Sequence, residues 1–589
     1  MVSAALLVLT LAGAASLTYV RNHPVALTPP QDVPAVPGLK MAWPLNWTPI
    51  PLANRSGPVV AGVSRTAGPG APDNALFLLA ERVSDTYVSP QYVAPLLLRS
   101  LTRQLGFTAI VSELAVGPAE LAGRPAYQIE FVVYFRQRTF WAALRTAGEP
   151  NGQILGLLLL SDEPISPAAK RLLNTVSDSM ELSRPAADVA TVLASLKLRA
   201  RLADGDLGHL RGYVEQMPAA GPTRATFVAA GAGSGRAYAI HVWTSWLANR
   251  RTLQDMANTW FRRTYLQGEP PDDRGWVQRA GTRIWRMAAG ERSNGRDRLI
   301  DAIYLRELPD RRVVWARTIA DAGVDPEGTA LDLLSGIQAD EKPGWSYDSA
   351  VASGASVLAA VATDSITEYY RVNSGRQDFV LTGVDGRESG IGRYLLAIKE
   401  DGSLTRTELL SIGPGGEALK SEKTCLLRAD LSAFQVKDTT VSGQESSLRI
   451  DCGRNDAASP IAVRMQFGGS AALEASLVTR EPFLPDPAMD AAACHVAHRA
   501  GTTALFRTVG TDPEVPESIL LTGLGKQRVE VAGRQIDAFA CVVQEDTSNG
   551  PNLVLFDEQD KLIGYILPGG ATFLRSAGAP EDEPPAKAE

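Results

Sequence analysis

Gly392-Arg393-Tyr394-Leu395-Leu396-Ala397-Ile398 and Thr405-Arg406-Thr407-Glu408-Leu409-Leu410, preceded by Ile366-Thr367-Glu368-Tyr369-Tyr370-Arg371-Val372, repeat one pattern more plainly than any other part of the chain. Each is a short run of β type, and turn-forming residues separate them. All three read as opening strands of an antiparallel sheet. Comparable runs resume at Gln527 to Val531, Ala538 to Val543, Leu553 to Phe556 and Leu562 to Ile566. Residues 365–575 are therefore expected to form one β-dominated domain. Leu426, Leu431, Phe434 and Val436 supply an apolar face, and Ala488 to Arg499 supplies a short helix to cover it.

Working outward, 589 residues leave room for about three or four domains, each with its own core. An apolar content of 45% excludes a disordered polymer. The 58 basic and 65 acidic residues leave a charge of -7, too mild and of the wrong sign for a general nucleic-acid footprint.

Two earlier sections mix strand and helix signals. In 54–182, Tyr127 to Phe135 and Gly152 to Leu160 read as strands and Pro95 to Leu105 as an amphipathic helix. Ser166-Pro167 opens a helical period running to Leu182, as an N-cap followed by a first-turn proline. In 222–338, Arg236 to Trp246, Thr282 to Ala289 and Arg311 to Thr318 read as strands, with helices at Leu253 to Tyr265 and Asp325 to Ile337. Pattern alignment sets Leu121-Ala122-Gly123-Arg124 beside Arg279-Ala280-Gly281-Thr282, and Ser166 to Leu182 beside Asp325 to Ile337, which points to a duplication. The fold class expected is multidomain α+β. Its parts are a terminal segment 1–20, a Pro-rich tether 21–53, an α+β domain 54–182, a connector 183–221, a second α+β domain 222–338, a linker 339–364, the extended antiparallel sheet domain 365–575 and a disordered tail 576–589.

Phe483-Leu484-Pro485-Asp486-Pro487 before a helix, Ala504 to Val509, Val529 to Phe539 and Asp557 to Tyr565 together resemble bacterial extracytoplasmic proteins of the DUF3108 kind. That resemblance implies an extended antiparallel sheet with an envelope role and transfers no substrate. By element order, 54–182 and 222–338 also resemble the α+β fold of the PsbP and Mog1 groups, which implies binding or assembly modules.

Val2 to Val20 is an uncharged apolar run followed by Arg21. An uncleaved membrane anchor, a cleaved signal with Ala12-Gly13-Ala14-Ala15-Ser16 as cleavage region, and a buried helix all remain open. An extracytoplasmic or periplasmic, membrane-associated body is the expectation.

Candidate chemistry is sparse. Arg250, Arg251, Arg262 and Arg263 form the strongest local basic feature and are read either as a solvated face or as a patch for an anionic surface. Six of the ten tryptophans fall between Trp243 and Trp315, as core or as a ligand platform. Cys425, Cys452, Cys494 and Cys541 permit disulfides, with Cys425–Cys452 and Cys494–Cys541 the preferred pairing and four buried thiols the alternative. On a helix Cys494 and His498 share a face while His495 does not; two ligands do not make a zinc site, so no metal and no cofactor are expected. No nucleophile elbow, metalloprotease motif or phosphate loop is present. The expectation is a membrane-tethered envelope binding or assembly protein without catalysis, partnered by an envelope protein or anionic surface. A carrier of lipid or another apolar molecule is the alternative.

Overall fold

The computed structural model describes residues 25–576 except 35, 37, 52–57, 66–73, 83–96, 98–100, 102–108, 136–137, 149–152, 183–186, 201–206, 231–236, 294–297, 322, 340–344, 363, 384–387, 413–418, 443–445, 532–533, 549 and 569. The apolar run 2–20, most of the helix expected over 95–105 and the tail from 577 lie outside these residues. The described chain corrects the expected α+β balance. It is mostly β, with 54% in strands against 18% helical, because long antiparallel hairpins rather than helices satisfy most backbone hydrogen bonds. Among the described residues no single helix is long and apolar enough to cross a membrane.

The chain divides into two compact units. The first opens with β1 (Gln31–Asp32), β2 (Leu39–Met41), β3 (Thr48–Pro49), β4 (Val59–Arg65), β5 (Asn74–Arg82), β6 (Ala109–Leu121), β7 (Arg124–Phe135), β8 (Arg138–Gly148) and β9 (Gln153–Ser161). Helix α1 (Pro167–Asp178) and β10 (Glu181–Leu182) close it. Strands β3 to β9 form one sheet in the order β3-β4-β5-β9-β8-β7-β6, and β10 pairs with β2 beside β1. Helix α1 starts where Ser166 caps it by accepting from the Ala169 N–H, and it buries Leu173 and Val176. Every residue of β9 is buried, as a strand covered on both faces must be. The Pro-rich segment is not a free tether. Val33, Val36, Leu39 and Met41 join the core around Leu76, Leu157 and Val176, so the prolines space short extended pieces that dock.

In the second unit, α2 (Val189–Ser195), β11 (Leu198–Ala200), β12 (Arg211–Met217), β13 (Gly221–Ala230), β14 (Ala237–Trp246) and α3 (Leu253–Tyr265) come first. They are followed by β15 (Arg274–Arg279), β16 (Thr282–Ser293), β17 (Arg298–Glu307), β18 (Arg312–Asp321), α4 (Glu327–Gly336) and β19 (Ile337–Ala339). The segment expected as a connector over 183–221 thus already holds a helix and the first sheet strand. The sheet order β12-β13-β14-β18-β17-β16-β15 reproduces that of the first sheet strand for strand, and β19 returns to β11 as β10 returns to β2. Corresponding hairpins turn through Ala122-Gly123 and Ala280-Gly281, all four residues at positive φ, the backbone that a two-residue turn of this hand requires. The aligned Ala-Gly pairs mark the same corner of a repeated fold.

The linker expected over 339–364 is largely helix α5 (Tyr347–Val361), with Ala350, Gly354, Val357 and Val361 buried along one stripe. A Cβ on Gly354 would collide with the Leu505 carbonyl oxygen, so only glycine lets this helix lie on the sheet backbone. The run over 366–372, read as a strand, is helix α6 (Asp364–Val372). Ile366, Tyr369 and Tyr370 sit at i, i+3 and i+4 and are all buried, so a helical apolar stripe overrides β-type composition.

Eight strands then run outward in sequence: β20 (Gly375–Thr382), β21 (Glu388–Ile398), β22 (Leu404–Ile412), β23 (Leu419–Leu427), β24 (Phe434–Ser442), β25 (Ser446–Arg454), β26 (Ile461–Phe467) and β27 (Leu473–Leu477). A crossing segment carries helix α7 (Met489–Ala497), and β28 (Thr503–Thr508), β29 (Glu517–Val531), β30 (Arg534–Glu545), β31 (Asn552–Phe556), β32 (Leu562–Ile566) and β33 (Thr572–Arg575) run back until β33 pairs with β20. This makes one fourteen-stranded antiparallel sheet with β27 and β28 at its ends. The ends lie close together. Five residues after Leu477, Pro482 accepts from the Arg507 N–H of β28 and Phe483 bridges Arg507 in parallel, a reach of at most roughly 18 Å. The sheet therefore curls towards closure, and α7 fills it: Asp490 to Cys494, Val496 and Ala497 are all buried, with small side chains on every face.

Candidate functional site

Alternation along the curled sheet points Arg406 and Glu408 of β22 and Lys423 of β23 to the same inner face as Leu404 and Leu427. Cross-strand register places Glu408 opposite Lys423 and Lys423 opposite Asp438. The crossing segment brings two more carboxylates onto this row. Lys423 Nζ lies 2.8 Å from Asp486, and Arg406 lies 2.6 Å from Asp490 and 2.5 Å from Glu408. Tyr565 donates to Asp490 at 2.9 Å, Tyr370 donates to the Pro487 carbonyl at 2.9 Å, and the Arg406 guanidinium lies over the Tyr394 ring. Burial opposes the Arg406 and Lys423 charges, yet Asp490 and Glu408 hold the first, and Asp486 and Glu408 the second, well above their ordinary ranges. Two cations and four carboxylates thus clamp the crossing segment to the sheet wall.

Cys425 and Cys452 adjoin this row. Burial pushes the Cys452 thiol up to about 12 and Cys425 higher still, so neither is a thiolate nucleophile at neutral pH. The expected Cys425–Cys452 disulfide is excluded by register: Val436 stands between them on the intervening strand. Two strand spacings separate their Cα atoms by about 9.6 Å, beyond the bridgeable range. Cys494 and Cys541 are likewise free, buried thiols.

The four arginines do not form an outward patch. Arg251 is fully buried, 3.2 Å from Asp546, and donates to Thr259 and the Pro516 carbonyl. Arg262 pairs with Asp512 and donates to the Gly268 carbonyl, while Arg263 pairs with Glu545 and lies 3.7 Å from Glu517. Arg250 is exposed, and among the described residues it is the one of the four with no ion pair to a carboxylate. The anionic surface expected for this cluster is supplied from within, by carboxylates of the fourteen-stranded sheet domain. Thr511 donating to the Thr259 carbonyl and Gln544 to the Thr244 carbonyl extend the same contact. Burial pushes Asp546 up to about 6 despite Arg251, and Glu517 adds to the rise.

Five of the six clustered tryptophans are core: Trp243, Trp246, Trp260, Trp285 and Trp315 are buried, and Trp243 stacks on Trp315 at 5.4 Å. Trp276 on the edge strand β15 is 45% exposed, with Arg283 3.8 Å over its ring.

At the far end of α7, the structure adds a residue that sequence spacing did not suggest. Cys494 and His498 share a helix face, and Asp560, in the turn between β31 and β32, comes to them with all three ligand atoms within 4.8 Å of one another. His498 Nε2 is 2.7 Å from the Asp560 carboxylate, and the His498 ring packs 3.9 Å from that of Phe539. His495 stays apart from this group.

No family model and no curated protein sequence matches the chain. Among solved structures, it is similar to cyanobacterial PsbP from Synechocystis (15% identity, 27% of this chain and 95% of that one, TM-score 0.22). It is also similar to a β-barrel-like protein of the DUF1849 domain from Brucella abortus (9% identity, 34% and 94%, TM-score 0.25). A third likeness is to LpqN, involved in cell envelope biogenesis of Mycobacterium tuberculosis (18% identity, 28% and 94%, TM-score 0.18). The PsbP resemblance therefore recurs in part, the DUF3108 one finds no family match, and TM-scores this low carry no functional conclusion.

Proposed function

We propose that the protein is an extracytoplasmic envelope binding or assembly factor without catalysis of its own. One observation carries this reading: the curled sheet, the natural place for a ligand cavity, is filled by its own helix α7, and the crossing segment that carries this helix is clamped to the sheet through Arg406–Asp490 and Lys423–Asp486. A carrier of lipid needs apolar room with an opening. With the interior filled, recognition falls to outer faces and sheet edges, where Trp276 is exposed. The apolar run 2–20 supports an envelope location, and the buried, protonated thiols beside the ionic row support a non-catalytic role.

The test is capture of partners from native envelopes with the full chain against a matched-tag control, coupled to solvent extraction of the purified protein. Specific co-purifying envelope proteins and no stoichiometric lipid are expected. One lipid per chain without any specific protein partner would replace this reading with the carrier.

A further inference from the structure

Among the described residues, Cys494, His498 and Asp560 are the group of mixed sulfur, nitrogen and oxygen ligands whose donor atoms converge. Three segments of different origin meet there. Helix periodicity stacks Cys494 and His498 one turn apart. Asp560 arrives from a turn held at φ 64°, with its carbonyl accepting from Asn373 and its N–H donating to the Asp557 carbonyl. Phe539 backs the imidazole. The thiol is buried, whereas His498 and Asp560 are 36% and 44% exposed at their side chains, so the side opposite the sulfur opens to solvent.

We propose that Cys494, His498 and Asp560 form a binding site for a divalent metal of the zinc class, with a solvent molecule in the fourth position. The donor set makes the choice. Calcium and magnesium take oxygen ligands, whereas one thiolate, one imidazole and one carboxylate suit zinc. The spacing is within reach of ordinary side-chain adjustment. Metal bonds of about 2.0–2.3 Å separate tetrahedral ligand atoms by about 3.3–3.6 Å. His498 and Asp560 therefore open slightly from 2.7 Å, while the sulfur closes from a distance no greater than 4.8 Å. Binding replaces the thiol proton and the His498–Asp560 hydrogen bond with metal bonds. It ties the end of α7 to the β31–β32 turn and leaves the ionic row at the other end untouched.

The experiment uses the reduced full chain, with any His-tag removed, titrated with Co(II) and then with Zn(II). One equivalent of Co(II) should produce a thiolate-to-cobalt charge-transfer band and visible d–d bands of tetrahedral strength, and Zn(II) should displace both. Cys494→Ser should abolish the charge-transfer band. His498→Gln and Asp560→Asn alter exposed side chains, and asparagine tolerates the positive φ at 560, so both variants keep the test valid should the buried serine disturb folding. Each should weaken Co(II) binding tenfold or more. Absence of the charge-transfer band in the unaltered chain, or undiminished affinity in both surface variants, would overturn the proposal.

Discussion

The two seven-stranded sheets share strand order, corner turns and a closing helix, but they are filled and used differently. In the first, β5 and β9 meet through residues such as Phe77 and Leu158, and leucine is the commonest residue of the described core; in the second, the corresponding β14 and β18 meet through stacked Trp243 and Trp315. The second also carries Arg251, Arg262 and Arg263 at and along α3, each committed to a carboxylate of the fourteen-stranded sheet domain. A repeated scaffold has thus been specialised through one helix and its flank, while the hydrogen-bonded ladder stays the same. The basic cluster of the second copy is an internal fastening.

The largest effect is expected at that fastening. Arg251→Ala leaves Asp546 buried without its partner and should cost about 3–5 kcal/mol in denaturant unfolding, whereas an apolar pair replacing both residues should recover most of it. A loss below about 1 kcal/mol would mean that the second copy is not held through this pair. In the cores, Trp315→Ala should cost about 3–5 kcal/mol and Leu158→Ala about 2–5 kcal/mol; equal losses would blur the contrast between aromatic and leucine filling. Asp546 gives a pH-dependent test. Its folded value of about 6 exceeds the ordinary 3.8, so the folded state binds more protons between the two, and its contribution to stability falls as pH rises from about 4 to 6. The full shift corresponds to roughly 3 kcal/mol. Asp546→Asn should flatten this part of the stability profile, and an unchanged slope would contradict the assignment. The smallest effects are expected at the helix starts. Thr252→Ala removes a reciprocal capping box and Ser166→Ala a single cap, each costing about 1 kcal/mol in thermal unfolding, with Thr252 the larger.

Much of the sheet was legible because one-sided burial forces alternation. The runs read at 527–531, 538–543 and 553–556 lie inside β29, β30 and β31, and that at 562–566 coincides with β32. The aligned Ala-Gly corners were legible because a two-residue turn needs an unusual backbone. Four features were hidden for physical reasons. Composition concealed α6, whose tyrosines and isoleucine read as strand until their helical spacing is matched to a core. The overall β content was underestimated because the sequence does not announce how far hairpin arms extend. The ionic row and the Cys494–His498–Asp560 group depend on long-range convergence. A clue to the ionic row existed locally, since Arg406 and Glu408 occupy inward positions in the same alternation as Leu404; Asp560 gave no comparable signal, being 62 residues from His498.

Whether α7 stays in the curled sheet is read out by hydrogen–deuterium exchange of the intact protein. Amides of 489–497 should exchange as slowly as those of the surrounding strands β22, β23, β29 and β30, because opening α7 requires breaking the Arg406–Asp490 clamp. Exchange of 489–497 at the rate of exposed turns, while those strands stay protected, would instead reveal a helix that leaves its place to open a cavity.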